Sequence, residues 1–232
     1  PGVTIWAMTR IYSLALISIL MAAPAIAQVT GPVAPALTAE QIKSSESLAP
    51  KFDQSAAMEK SRLQTFANRP LGGVIQRSFN VFTNYLVMAA EMMPESSYAF
   101  RPTPELRTFG EQISHATGAH YSFCNQAGVP PGVQKQTAPS PGTITSKRAI
   151  VAALKDSIAY CGRVLTAASE GWLMETAPGL GGSSSGLIGG MRAHAFIYNA
   201  VHSAEDYGTI TTYLRMQGVV PPSSALHPAP GK

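Results

Sequence analysis

Four stretches of about twenty residues carry apolar side chains at i, i+3, i+4 and i+7, the spacing of helices that bury one face. The first runs from Gly73 to Met93, with Ile75, Phe79, Phe82, Leu86 and Ala89/Ala90 on its stripe and Pro94 closing it. The second opens at Thr108, whose hydroxyl can cap the helix while Glu111 reaches back, a capping box. It continues to Gln126 with Phe109, Ile113, Ala116, His120 and Phe123 along one stripe. The third follows Ser146 and carries Ile150, Ala153/Leu154, Ile158, Cys161 and Leu165. The fourth runs from Met191 to Gln217 and stops at Gly218, a left-handed cap followed by Pro221-Pro222. No segment shows the alternation of a strand. Four such helices bury their stripes against one another, so the expected fold class is all-α, a four-helix bundle. The Ala127–Thr145 and Gly179–Gly190 connections exceed the about 2–8 residues that join simple antiparallel neighbours, so at least one crossover is expected.

Composition narrows the class further. The 232 residues suit one core, and 45% hydrophobic with only 13% charged positions exclude a disordered chain. The net charge of +4 comes without any Lys/Arg run longer than two, so no nucleic-acid partner is expected. Two cysteines exclude a disulfide scaffold and a Cys-rich zinc site.

The N-terminal segment reads as an address. Met8-Thr9-Arg10 supplies a short positive start, Ile11 to Ala23 an apolar run, and Ala25-Ile26-Ala27 a small-x-small cleavage site. The run is shorter than the ~20 residues of a membrane span and Pro24 interrupts it, so no stable membrane anchor is expected. The expected organisation is a signal peptide at 1–27, an N-terminal arm at 28–69, the helical bundle at 70–223 and a Pro-rich tail at 224–232. Cleavage after Ala27 would place the chain in the periplasm or outside the cell. That compartment admits a Cys124–Cys161 bridge, and their depths along helices two and three differ by only ~2 Å if those helices run parallel. Two unrelated buried thiols are the alternative.

Candidate chemistry is sparse. The Gly179–Gly186 stretch lacks the preceding strand and the Lys-Ser/Thr of a phosphate loop, and reads as a linker. No Gly-x-Ser-x-Gly nucleophile elbow occurs. Among five histidines, His227 lies in the tail and His194 has no acidic neighbour at helical spacing. His120 falls on an apolar stripe, where a hydrogen-bonded core histidine is the commoner role. His202 and Asp206, four apart, project to one side of helix four, and Asn199, Thr209 and Tyr213 extend that side into a polar stripe. Aimed at His115, one turn after Glu111, they would form a two-His, one-carboxylate site for Zn, Ni or Fe. A surface hydrogen-bonded pair at His202/Asp206 is the alternative.

Two stretches carry a family likeness. Ser97-Tyr98-Ala99-Phe100-Arg101-Pro102-Thr103-Pro104-Glu105 with Thr108-Phe109-Gly110-Glu111-Gln112-Ile113-Ser114-His115 resembles the DinB-like superfamily. So does Val201-His202-Ser203-Ala204-Glu205-Asp206-Tyr207-Gly208, leading into Tyr213 to Pro222. The likeness covers about Leu71 to Ser223. It implies a bundle running up-down-down-up with a long crossover between helices two and three. It also implies one divalent-metal site built from a histidine of helix two and two histidines, four apart, of helix four. His115 and His202 match two ligands; Asp206 stands where the family has a third histidine. Some members are metal-dependent thiol transferases, so the resemblance implies a transferase or hydrolase acting on a small molecule. Glu111, Asn199 and Tyr213 are then candidate contacts to the ligands or to a substrate. The partners expected are a small-molecule ligand or substrate, with a homodimer left open. The alternative function is a non-catalytic binding or envelope-stress module whose metal site has decayed.

Overall fold

The structure is a computed structural model, and it describes residues 67–140, 142–177 and 190–226. The signal segment, the arm up to residue 66, the Gly/Ser stretch 178–189 and His227 lie outside the described residues. All described residues belong to one unit, Ala34–Lys232. The elements are α1 (Pro70–Met92), a 3-10 turn (Glu95–Ser97), α2 (Phe109–Ala127), α3 (Lys147–Ala167), α4 (Glu170–Met174), α5 (Arg192–Met216) and α6 (Pro222–Leu226). The fold is all-α with four long helices. Among the described residues there is no strand, only an isolated bridge between Thr176 and Met191. No described helix is long and apolar enough to cross a membrane.

Local chemistry sets the helix ends. Thr108 Oγ1 accepts from the Glu111 backbone N–H at 3.2 Å while Glu111 Oε2 accepts from the Thr108 N–H at 2.7 Å, so the capping box is present. Ser146 and Ser169 cap α3 and α4 through their hydroxyls alone, which accept from the Ala149 and Trp172 N–H groups. Gly218 adopts φ 71° after α5, its N–H donating to Arg215 O and that of Val219 to Leu214 O, a Schellman ending only a residue without Cβ takes at low cost. Helix α1 starts at Pro70, three residues before the predicted Gly73. Its first free N–H groups, at Leu71 and Gly72, are satisfied from a distance by the Glu170 carboxylate, both at 2.9 Å. The Arg69 guanidinium serves the opposite pole, donating to the carbonyls of Leu165 and Ala168 at the end of α3.

Two helices differ from the sequence expectation. α4 and α6 have five residues each, too short to display a hydrophobic period. The tail boundary after Ser223 therefore falls inside α6. There the Ser223 N–H donates to the Tyr207 hydroxyl, which donates to Ser223 Oγ, both at 2.8 Å.

Helix pairs are joined in a consistent register. Between α2 and α3, the closest approaches pair His120 with Ser157, Tyr121 with Tyr160 and Cys124 with Cys161. The last pair is a disulfide with Cα atoms 5.7 Å apart. A Cβ placed on Gly110 would meet Ile150 Cδ1 and Tyr98 Cδ1 at 3.3 Å, so α2 approaches both closely where it begins. Between α2 and α5 the pairs are Gln112 with Asp206, His115 with His202, His120 with Ser203 and Cys124 with Asn199. Arg192, at the start of α5, donates to Ala127 O at the end of α2 at 2.7 Å. Its guanidinium also lies 4.4 Å over the Trp172 ring.

The core has two apolar clusters. One gathers Phe109, Ile113, Leu154, Ile210 and Leu214 with Leu86. The other gathers Phe79, Tyr160, Leu165 and Phe196 around the disulfide. Buried polar side chains belong to neither: Thr83, Gln112, Thr117, His120, Ser157, Asn199, Ser203 and Asp206. Buried polar groups need partners. Among the described residues three buried side-chain atoms have none: Arg192 Nε, Asn199 Oδ1 and His202 Nδ1, the last of them at the candidate site.

Candidate metal centre

The site forms where α2 faces α5. His115 stands on α2 and His202 and Asp206 on α5, one ligand atom from each lying within 4.8 Å of the others. The imidazole centroids of His115 and His202 are 5.2 Å apart. His202 Nδ1 lies 3.6 Å from Asp206 Oδ2 and 3.9 Å from Glu205 Oε2. Both are beyond a hydrogen bond, and Nδ1 is buried with no hydrogen-bond partner among the described residues. Asp206 is only 3% exposed, while His115 and His202 are half-buried. The Phe123 ring meets His202 edge-on at 5.6 Å and Tyr198 at 5.2 Å, forming an aromatic wall on one side.

The electrostatics follow from this burial. Desolvation pushes the Asp206 carboxyl up to about 6, against the pull of His202 and the Gln112 amide. Burial lowers the His115 pKa from its ordinary value, and the nearby positive charge of Arg107 adds to the effect. A histidine held neutral offers the lone pair that a metal needs. An aspartate held near 6 is ionised for the most part at neutral pH. Two imidazoles, one of them with an orphaned Nδ1, and one carboxylate make a donor set that fits a borderline divalent ion. Bonds of ~2.1 Å in a tetrahedral site set ligand atoms ~3.4 Å apart, so the side chains need to close by up to ~1.4 Å. The three residues could hold a metal ion.

The other sequence candidates sit apart from this triad. Glu111 closes the capping box at the surface, and the Thr108 N–H and hydroxyl hold its carboxyl below the usual range. The Tyr213 hydroxyl donates to Arg107 O at 2.8 Å, fastening the segment that enters α2. Asn199 directs its amide nitrogen at Cys124 Sγ and Cys161 Sγ, both at 3.5 Å, and its buried Oδ1 has no partner among the described residues. Thr209 is exposed: at about 100° per residue it falls further round α5 than Asn199, Asp206 and Tyr213, which are buried. His120 is a core residue, with Nδ1 2.9 Å from Ser157 Oγ and Nε2 3.2 Å from Ser203 Oγ.

One neighbour was not anticipated. Gln112 is buried on α2, one turn before His115, and its Nε2 donates to Asp206 Oδ1 at 2.8 Å. The available signal was its place on the α2 flank that also carries His115, at i and i+3.

No family model matches the chain, and no curated protein matches it.

Proposed function

We propose that this is an exported, DinB-like four-helix bundle that binds one divalent transition metal through His115, His202 and Asp206 and uses it on a small molecule. The orphaned, buried Nδ1 of His202 beside an ionisable, buried Asp206 carries the reading. A purely structural His–Asp pair would close to hydrogen-bond distance; these atoms stand at 3.6 Å, with His115 facing them.

The register of contacts supports an up-down-down-up course. Paired positions ascend together in α2 and α3, as a parallel pair requires, and run in opposite senses in α2 and α5. The start of α1 meets the end of α3, and its end meets Lys147 at the start of α3, as antiparallel neighbours do. The 128–146 connection would then be the crossover, with Gln136 O pinned by the Asn125 amide at 2.8 Å. The disulfide supports an oxidising compartment.

When bound, the metal would act as a Lewis acid that activates a small nucleophile such as a thiol or water. The chain's own contribution is positional. α2 and α5 set His115 against His202, burial favours the neutral form of His115, and Phe123 shields one face from water. Transfer or hydrolysis on a small molecule is the reaction class this supports, thiol transfer being the form suggested by family resemblance. The direct test is metal content of untagged protein. One equivalent of Zn, Ni or Fe, lost in His202→Ala, is the expected result; no binding at saturating metal would leave a non-catalytic binding module.

A further inference from the structure

We infer that Gln112 is a positioning residue that commits Asp206 to a one-oxygen contact with the metal, and so fits an aspartate into the third ligand place. This rests on the metal reading above. The carboxylate of Asp206 is 3% exposed and has two oxygens to satisfy. Oδ1 accepts from Gln112 Nε2 at 2.8 Å; Oδ2 is the oxygen turned toward His202, 3.6 Å from Nδ1. One oxygen is therefore occupied by a neutral donor, and the other is left facing His202.

The chemistry of the partner matters. A lysine or arginine in this place would neutralise the carboxylate and compete with a cation for it. A primary amide donates a hydrogen bond while leaving the negative charge available. An aspartate with both oxygens free could chelate, occupying a position that a single-atom imidazole ligand leaves open for substrate. The amide, by engaging Oδ1, biases the carboxylate against that option. Gln112 also lies one turn before His115 on the same helix, so the α2–α5 register that brings His115 to His202 also brings the amide to Asp206. Groups that orient metal ligands in this way change metal affinity about 10–100-fold when removed.

The test is a double-mutant cycle on the purified full chain, read by Zn²⁺ affinity and by the visible spectrum of bound Co²⁺. Gln112→Met keeps the volume and removes the donor; Gln112→Asn keeps an amide one methylene short of reach. Each should weaken Zn²⁺ binding about 10–100-fold and alter the Co²⁺ bands, with circular dichroism unchanged. In the Asp206→Ala background, Gln112→Met should cost no further affinity, because its target is gone. If Gln112→Met and Gln112→Asn bind as the parent does, with the same spectrum, the inference is overturned and the metal site stands. An equal loss in the Asp206→Ala background also overturns it, because the effect would not pass through Asp206. Should Gln112→Met fail to fold, Gln112→Asn carries the same readings. A parent that binds neither ion overturns both the site and this role.

Discussion

His115 and His120 share one helix, five residues apart, yet meet opposite surroundings. The His120 ring is 1% exposed, with a serine hydroxyl on each nitrogen and the Phe79 ring edge-on at 5.3 Å. Both hydroxyls also lie 2.7 Å from a carbonyl of their own helix, Leu154 O for Ser157 and Asn199 O for Ser203, so one accepts the ring N–H and the other shares its proton between that carbonyl and the ring's lone pair. His115 instead faces His202, whose buried Nδ1 has no hydrogen-bond partner among the described residues. Saturated polar groups hold a fold together. Unsatisfied ones that converge leave room for a ligand.

The closed region is fastened by the Cys124–Cys161 bridge, and its loss has the largest predicted effect on stability. The bridge closes a span of 37 positions, and a loop of that size is worth ~3–4 kcal/mol in the unfolded-chain entropy model. Denatured, unreduced protein should titrate no free thiol at either cysteine. Cys124→Ala/Cys161→Ala should unfold at lower urea and still bind metal, because no ligand is lost. A double variant that loses metal binding while remaining folded would join the two regions that His120 and His115 divide.

A pair of histidine substitutions should separate the regions more sharply. His120→Ala removes a buried ring between two serines and should cost ~2–4 kcal/mol in urea unfolding, with little change in Zn²⁺ affinity. His202→Ala should lower Zn²⁺ affinity more than about 100-fold, above the usual effect of outer-shell groups, and leave metal-free stability nearly intact. Zn²⁺ at 100 times its Kd should raise the parent's stability by ~2.7 kcal/mol and that of His202→Ala hardly at all. The same profile in both variants would dissolve the distinction.

How far the sequence carried this division depends on which contacts are local. Thr108, Ser146 and Gly218 announce their helix ends because each acts on backbone groups within a few residues. His202 and Asp206 are legible as a pair because four residues is one turn. That His115 faces them is a matter of α2–α5 register, which periodicity does not encode; the residue types offer it as one arrangement of the bundle, and the family resemblance points to the same three positions. Gln112 escaped notice because its partner is 94 residues away and a single glutamine on a helix has no distinctive spacing. Asn199 was placed on the right face, but its amide turned to sulfurs that only the folded α2–α3 pair brings near. α4 was missed because its role lies at long range, presenting Glu170 to the start of α1.

Acidification should strain the saturated region first. Burial pushes His120 down to about 3 from an ordinary value of 6.5, so folding favours the neutral ring. Its contribution is complete above pH 6.5 and is lost as pH falls toward 3, with a slope of up to ~1.4 kcal/mol per pH unit. Asp206 acts in the opposite sense in metal-free protein. Its folded pKa is raised from 3.8 to about 6, so its contribution is complete below 3.8 and is lost as pH rises through 6. Urea midpoints of the metal-free chain between pH 7 and 4 isolate the first effect when compared with those of His120→Gln, which should show a flatter profile. Parallel profiles would place the acid sensitivity elsewhere.

The smallest predicted effect probes how the ligand-bearing end of α2 is held. That end has no disulfide; it has the capping box, with Thr108 and Glu111 serving each other's backbone N–H at 3.2 and 2.7 Å. Gln112 and His115 lie within the first two turns after Thr108, whereas Cys124 lies near the other end. Thr108→Ala should therefore cost ~1 kcal/mol, and Thr108→Ser, which keeps the hydroxyl, should recover most of it. Fraying should be local, so amide hydrogen exchange should speed up over residues 109–115 and remain slow around Cys124. Zn²⁺ affinity should weaken by less than the ~10-fold that removal of a direct ligand partner produces, because the helix end loosens without losing any group of the site. Uniform acceleration of exchange along α2 would mean that the helix opens as one unit, and the two histidine environments would then share one stability.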